Sequence, residues 1–272
     1  MTGNVTFFVT TGRSGTQWLA AALDTCFHDL ATTTHEPLGP RYRPREFLRA
    51  YHRASAMAAV EEISMHLDDV ERILKTRDYI EVGWPGGVAV PLLFDRFGSS
   101  LRLVHLVRHP VYTAMSIATH RFFQQERQDE YVRLAQLDPF IAGVVQKEYA
   151  NRWPSMTAYE KCLFLWTEMH LYAEELAEVF PSVPMIRVLA EGLFSGESDS
   201  TDPLTDFLGL PRRADFRDQA PIHVDAYREQ SKRVAAWTLI LEHENTIALS
   251  RRLGYRLDSV TQHELESRYR SD

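Results

Sequence analysis

The chain has 272 residues, 44% hydrophobic and 25% charged, with a net charge of −7. This composition is ordinary for a soluble globular protein, and the length gives room for one large α/β domain or two small ones, with a substantial core. The acidic balance speaks against a broad nucleic-acid or anionic-membrane surface, two cysteines are too few for a disulfide framework, and no apolar run is long enough to span a bilayer.

Residues 5–10 are a β-branched and aromatic run and predict a strand. Residues 12–16 form a glycine-punctuated turn, and an apolar helix opens at Trp18. A strand, a glycine loop and a helix together hold a phosphate: loop N–H groups converge on the anion and the helix start adds partial positive charge. Arg13 lies inside the loop and can add a fork of hydrogen bonds. The loop lacks the spacing of G-x-x-x-x-G-K-[ST] and has no Lys before Thr16, so it is not a Walker A motif. A short strand at 30–34 puts Glu36 just past a strand's C-terminal end, where open α/β sheets place their chemistry.

Prolines and glycine mark 37–44 as a loop, and helical patterns cover about 45–75. A short strand at 79–82, a turn cluster at 83–87 and a helix near 88–97 lead to a strand at 101–107. Arg108-His109-Pro110 follows, with Pro110 suited to the first position of a helix that carries Ser116 and His120. The order βαβαβαβα predicts a central parallel sheet with helices on both faces. Right-handed crossovers then bring the loop at 12–16 and Arg108 to one sheet edge.

Residues 121–156, rich in Gln, Arg, Glu and aromatics, read as a helical insertion that shapes a pocket or as a scaffold of surface helices. Residues 157–180 form the clearest amphipathic helix, and the stripe of Tyr159, Leu163, Trp166, Met169, Ala173, Leu176 and Phe180 is a core face. A strand at 184–189 and a helical stretch at about 226–253 complete the reading. Cys26 and Cys162 are expected to be buried thiols, and His105 and His109 structural groups rather than metal ligands.

The segment Gly12-Arg13-Ser14-Gly15-Thr16-Gln17-Trp18-Leu19 resembles the 5′-phosphosulfate loop of the sulfotransferases. That family uses 3′-phosphoadenosine 5′-phosphosulfate (PAPS) as sulfuryl donor, with no metal. Arg108 and Ser116, eight residues apart, resemble its clamp for the donor's 3′-phosphate, and Glu36-Pro37 resembles the segment that supplies a general base in carbohydrate and some bacterial members. The resemblance implies a single domain over 1–272 with a P-loop NTPase-like sulfotransferase architecture. It implies that Arg13, Ser14, Gly15, Thr16, Gln17 and Trp18 bind the donor and that Glu36 acts as base. By its bare chemistry Glu36 equally pairs with Arg13 or Arg41, or caps its loop.

Many members have Lys where this chain has Arg13, and the Arg-Lys-Gly triplet that closes over the nucleotide in many of them is absent. Ser231-Lys232-Arg233 with Trp237 resembles a bacterial counterpart, which makes Lys232 and Arg233 candidates for the 3′-phosphate or a solvated basic patch. His35, Glu81 and His120 are candidate acceptor-side residues. The implied acceptor is a hydroxyl of a small molecule, glycan or lipid, and the location cytoplasmic, because the first strand begins almost at residue 1. Two other readings are a nucleotide phosphotransferase, which would need a loop Lys and a Mg²⁺-binding Asp at a strand end, and a non-catalytic nucleotide-binding module.

Overall fold

In the computed structural model, which describes residues 3–123, 129–219 and 234–271, the first apolar run is strand β1 (Val5–Val9), buried at every position. Strand side chains alternate between faces, and here both faces meet an apolar layer: Val5, Phe7 and Val9 join one hydrophobic cluster and Phe8 the other. Burial on both faces suits a central strand. The sheet runs β2-β3-β1-β4-β5, with β2 (Ala31–His35), β3 (Asp78–Val82), β4 (Leu101–Val107) and β5 (Met185–Leu189), and every pairing is parallel.

Helix α1 (Thr16–Phe27) links β1 to β2. Three helices, α2 (Pro44–Phe47), α3 (Ala54–Ala58) and α4 (Glu61–Ile73), precede β3, and α5 (Val90–Phe97) precedes β4. Between β4 and β5 lie α6 (Pro110–Thr119), α7 (Glu130–Ala135) and α8 (Ala158–Val179). After β5 come α9 (Ala190–Phe194), α10 (Ser198–Leu208), α11 (Ala214–Asp218), α12 (Glu244–Arg252) and α13 (Gln262–Tyr269). Leu19, Leu23, Leu204, Leu208 and Phe216 cover the sheet face of Phe8, whereas Ile63, Leu67, Leu93, Met115 and Leu163 cover the opposite face. The parallel sheet clothed on both faces is the architecture expected from the order of the elements.

Helix α8 forms over the predicted amphipathic stretch and starts at a capping box. Glu160 N donates to Thr157 Oγ1 at 3.3 Å, and Thr157 N donates to Glu160 Oε2 at 2.7 Å. The helical stretch expected over 45–75 is instead broken into three pieces. Arg49 takes a left-handed conformation (φ 55°), and its guanidinium reaches Glu168 Oε2 at 2.7 Å, Glu175 Oε2 at 2.5 Å and Gly143 O at 2.8 Å. Glu168, fully buried on α8, also accepts from Val145 N and Gln146 N, so this ion pair outweighs local helix propensity between α2 and α3.

The described part of 121–156 holds α7 and two 3-10 turns, Lys147–Ala150 and Trp153–Ser155, joined by irregular chain. Of the stretch expected helical at 226–253, the described part is a 3-10 run, Trp237–Glu242, followed by α12. Cys26 and Cys162 are buried free thiols. His105 Nε2 lies 2.9 Å from His170 Nδ1, and burial drives the His105 imidazole down to about 3, so it is a neutral core group.

Candidate active site

The C-terminal ends of β1, β2, β3 and β4 share one sheet edge, and the candidate residues gather there. After β1 the chain turns through Thr10 to Gly15, with left-handed backbone at Arg13 (φ 65°) and Gly15 (φ 86°). Glycine at 15 serves twice. Its φ suits a residue without a Cβ, and a Cβ there would stand 2.3 Å from the Phe194 ring. Gly15 is the N-cap of α1, and the first turn of α1 contains no acidic side chain, so nothing in it offsets the positive end of the helix.

Arg108 leaves the end of β4 and donates from Nη1 to the carbonyl of Arg13 at 2.6 Å. Arg13 Nε in turn donates to Ser116 Oγ on α6 at 3.0 Å. Two guanidinium groups and a hydroxyl therefore meet at the turn after β1, drawn from segments about a hundred positions apart. The Arg108 peptide is fixed from behind. Trp166 Nε1 donates to Arg108 O at 2.9 Å, His109 N donates to Glu191 Oε1 at 2.8 Å, and Tyr255 OH donates to Glu191 Oε2 at 2.8 Å. His109 caps α6, its Nδ1 accepting from Val111 N.

Glu36 follows the last residue of β2 and also has left-handed backbone (φ 45°). Its Oε1 accepts from Trp84 N at 3.3 Å and lies 3.9 Å from His35 Nε2. Burial pushes the Glu36 carboxyl up to about 7; the Trp84 N–H opposes this and the Glu81 carboxylate adds to it. A group that ionises near neutrality is suited to take a proton from a hydroxyl. Burial lowers the His35 imidazole, and His35 Nε2 lies 3.0 Å from Thr16 Oγ1 at the start of α1. Arg41 lies 3.9 Å from Glu130.

A cavity of about 130 Å³ opens beside the loop, with Gly12 and Arg13 on one side and Trp84, Ile117, Phe122 and Tyr131 among its walls; His120 lines it too. Trp84 links this cavity to Glu36. Its peptide N–H holds the carboxylate, its indole N–H is hydrogen-bonded to Tyr131 OH, and its ring packs beside Gly12.

No protein-family model matches the chain, and no curated protein matches it. Among solved structures, the sulfotransferase domain from the curacin biosynthetic pathway aligns with a TM-score of 0.51 at 13% identity, covering 94% of this chain and 99% of that one. The sulfotransferase domain from the Synechococcus PCC 7002 olefin synthase aligns with a TM-score of 0.53 at 18% identity, covering 94% and 96%. The chain has the sulfotransferase fold.

Within the sulfotransferase fold, Arg13, Thr16, Arg108, Ser116, His35, Glu36 and His120 all stand around the loop and cavity just described. Other sequence candidates are placed differently. Ser14 turns into the loop, with Oγ 3.0 Å from Thr11 Oγ1. Gln17 is exposed on the first turn of α1. Trp18 donates from Nε1 to Gln219 O and meets Phe194 edge-on at 5.4 Å. Glu81 is only 2% exposed, accepts at Oε2 from Tyr42, Tyr79 and His66, and does not line the cavity. Lys232 and Arg233 lie outside the described residues.

Sequence reasoning passed over Trp84, Tyr131 and Phe194. A tryptophan inside the glycine cluster 83–87 was a visible signal for the first. Phe194 carried none: it lies 5.7 Å below the Arg108 guanidinium and against Gly15 only because α9 follows β5 at the same sheet edge.

Proposed function

We propose that the chain transfers a sulfuryl group from PAPS to the hydroxyl of a small molecule. The observation that carries this reading is the convergence of Arg13 and Ser116, 3.0 Å apart, with Arg108 bonded to the Arg13 carbonyl. Two guanidinium forks, a hydroxyl and an unneutralised helix start suit a nucleotide that carries phosphate at both the 3′ and the 5′ position. PAPS supplies an activated sulfuryl group on a phosphate leaving group. Glu36 takes the proton of the acceptor hydroxyl, which is a poor nucleophile until that proton has somewhere to go. Arg13 and the N–H groups of residues 14–17 neutralise the charge that grows on the departing phosphate oxygen. Arg13 acts by charge and hydrogen bonding only, since a guanidinium keeps its protons at neutral pH.

The cavity supports a small-molecule acceptor over a glycan. Its walls are mostly apolar and aromatic, and about 130 Å³ is close to the room that an engineered apolar cavity gives one benzene ring. Calorimetric titration with 3′-phosphoadenosine 5′-phosphate, beside ATP with and without Mg²⁺, tests the donor site. Micromolar binding selective for the bisphosphate and lost in Arg108→Ala is expected. A preference for ATP with Mg²⁺ would replace this reading with phosphoryl transfer.

A further inference from the structure

Near Glu36 lies a polar cluster that the proposed mechanism does not use. Glu81 on β3 accepts at Oε2 from Tyr42 OH at 3.0 Å, Tyr79 OH at 3.0 Å and His66 Nε2 at 2.8 Å. Three donors on one oxygen hold this buried carboxylate in a fixed place. Tyr79 OH is also 2.7 Å from Thr34 Oγ1, two residues before Glu36, so the cluster is tied to the strand that delivers Glu36.

The backbone brings the two carboxylates together. In the β2–β3 ladder Thr34 pairs with Glu81 and His35 with Val82; the ladder ends there, and Glu36, with left-handed backbone, lays its side chain against Gly83. A Cβ at Gly83 would stand 2.3 Å from Glu36 Cγ, and one at Gly86 would stand 2.7 Å from Glu81 Oε1. Both glycines leave out side chains where the two glutamates pack. Among the described residues, Glu36 faces His35 from its own strand and Glu81 and the Trp84 peptide from β3 and the turn after it; Glu81 faces Tyr42, His66 and Tyr79.

We propose that Glu81 is a positioning residue for Glu36: a fixed buried anion that strengthens Glu36 as a base. This rests on the reading of Glu36 as the base. The test follows the Glu36 carboxyl by ¹³C NMR across pH, with Glu36→Gln to assign its resonance, in wild type and in Glu81→Gln. Loss of the neighbouring Glu81 carboxylate is expected to move the Glu36 titration midpoint down by about one pH unit. The acidic limb of kcat/KM should follow it.

An unmoved midpoint in folded Glu81→Gln overturns the proposal. Glutamine keeps the shape and an acceptor oxygen. Should that variant not fold, the coupling is read from the other side: Glu36→Gln must move the titration of the Glu81 carboxyl by the same amount, because coupling between two sites is reciprocal. Absence of that shift also overturns it. The NMR readout needs neither donor nor acceptor, so its outcome is separate from sulfuryl transfer. Full turnover in Glu36→Gln would remove Glu36 as base whatever Glu81 does.

Discussion

Glu36→Gln should make the protein more stable, and only above a definite pH. In the folded chain the Glu36 carboxyl rises from 4.5 to about 7, chiefly through burial. A carboxyl that is harder to ionise folded than unfolded favours the unfolded chain wherever the unfolded carboxyl is charged. The penalty is therefore absent below about pH 4, grows between the two values, and is constant above about pH 8. Each tenfold change in proton affinity is worth about 1.4 kcal/mol, which sets an upper limit of about 3 kcal/mol. The side chain is 19% exposed, and solvent trims this to about 2 kcal/mol. Glutamine cannot ionise and can still accept from the Trp84 N–H, so the variant escapes the penalty and keeps the contact. Urea denaturation of both proteins at a series of pH values measures the difference, since titrating groups that are not coupled to Glu36 cancel. A difference that does not change with pH would refute the account of Glu36 as a buried carboxyl.

Three further outcomes are expected. Arg108→Ala should weaken binding of 3′-phosphoadenosine 5′-phosphate by about 30-fold or more and Arg13→Ala by less, while both lose transfer; calorimetry and a radiolabelled transfer assay distinguish them, and equal binding losses would contradict separate roles. Gly83→Ala should displace Glu36, cutting turnover at least about tenfold while donor affinity stays within about twofold, because the added methyl meets Glu36 Cγ and not the phosphate loop. Arg49→Met should cost about 3–5 kcal/mol in urea denaturation at neutral pH, because Glu168 keeps its charge inside the core; a loss under about 1 kcal/mol would mean that the Val145 and Gln146 N–H groups suffice for it.

The parallel sheet was legible because its strands are short runs rich in β-branched, aromatic or apolar residues that alternate with helical patterns, and β4 forms over the residues predicted for it. Arg13 and Arg108 were legible as neighbours because strand ends in a parallel sheet share one edge, whereas Ser116, on α6, joined them only through the resemblance of the Arg108–Ser116 spacing. The break of the helix at Arg49 was not legible: the reason for it stands 119 positions away at Glu168, and local propensity carries no trace of such a partner. The environment of Glu81 was also hidden, since its donors come from a 3-10 turn, α4 and its own strand. A glutamate near a strand end looks the same in sequence whether or not it faces a cavity.

The Arg13–Ser116 contact bridges 103 positions, and the unfolded chain contains no equivalent of it. A ligand that grips both halves of the clamp binds the native state alone, and its binding energy adds to folding energy as RT ln(1 + [L]/Kd). Melting temperature then becomes a reporter of nucleotide chemistry. A panel of nucleotides differing only in where phosphate is attached can be ranked by thermal shift before any acceptor is known, and the ranking reads the spacing of the two guanidinium groups as a ruler reads length.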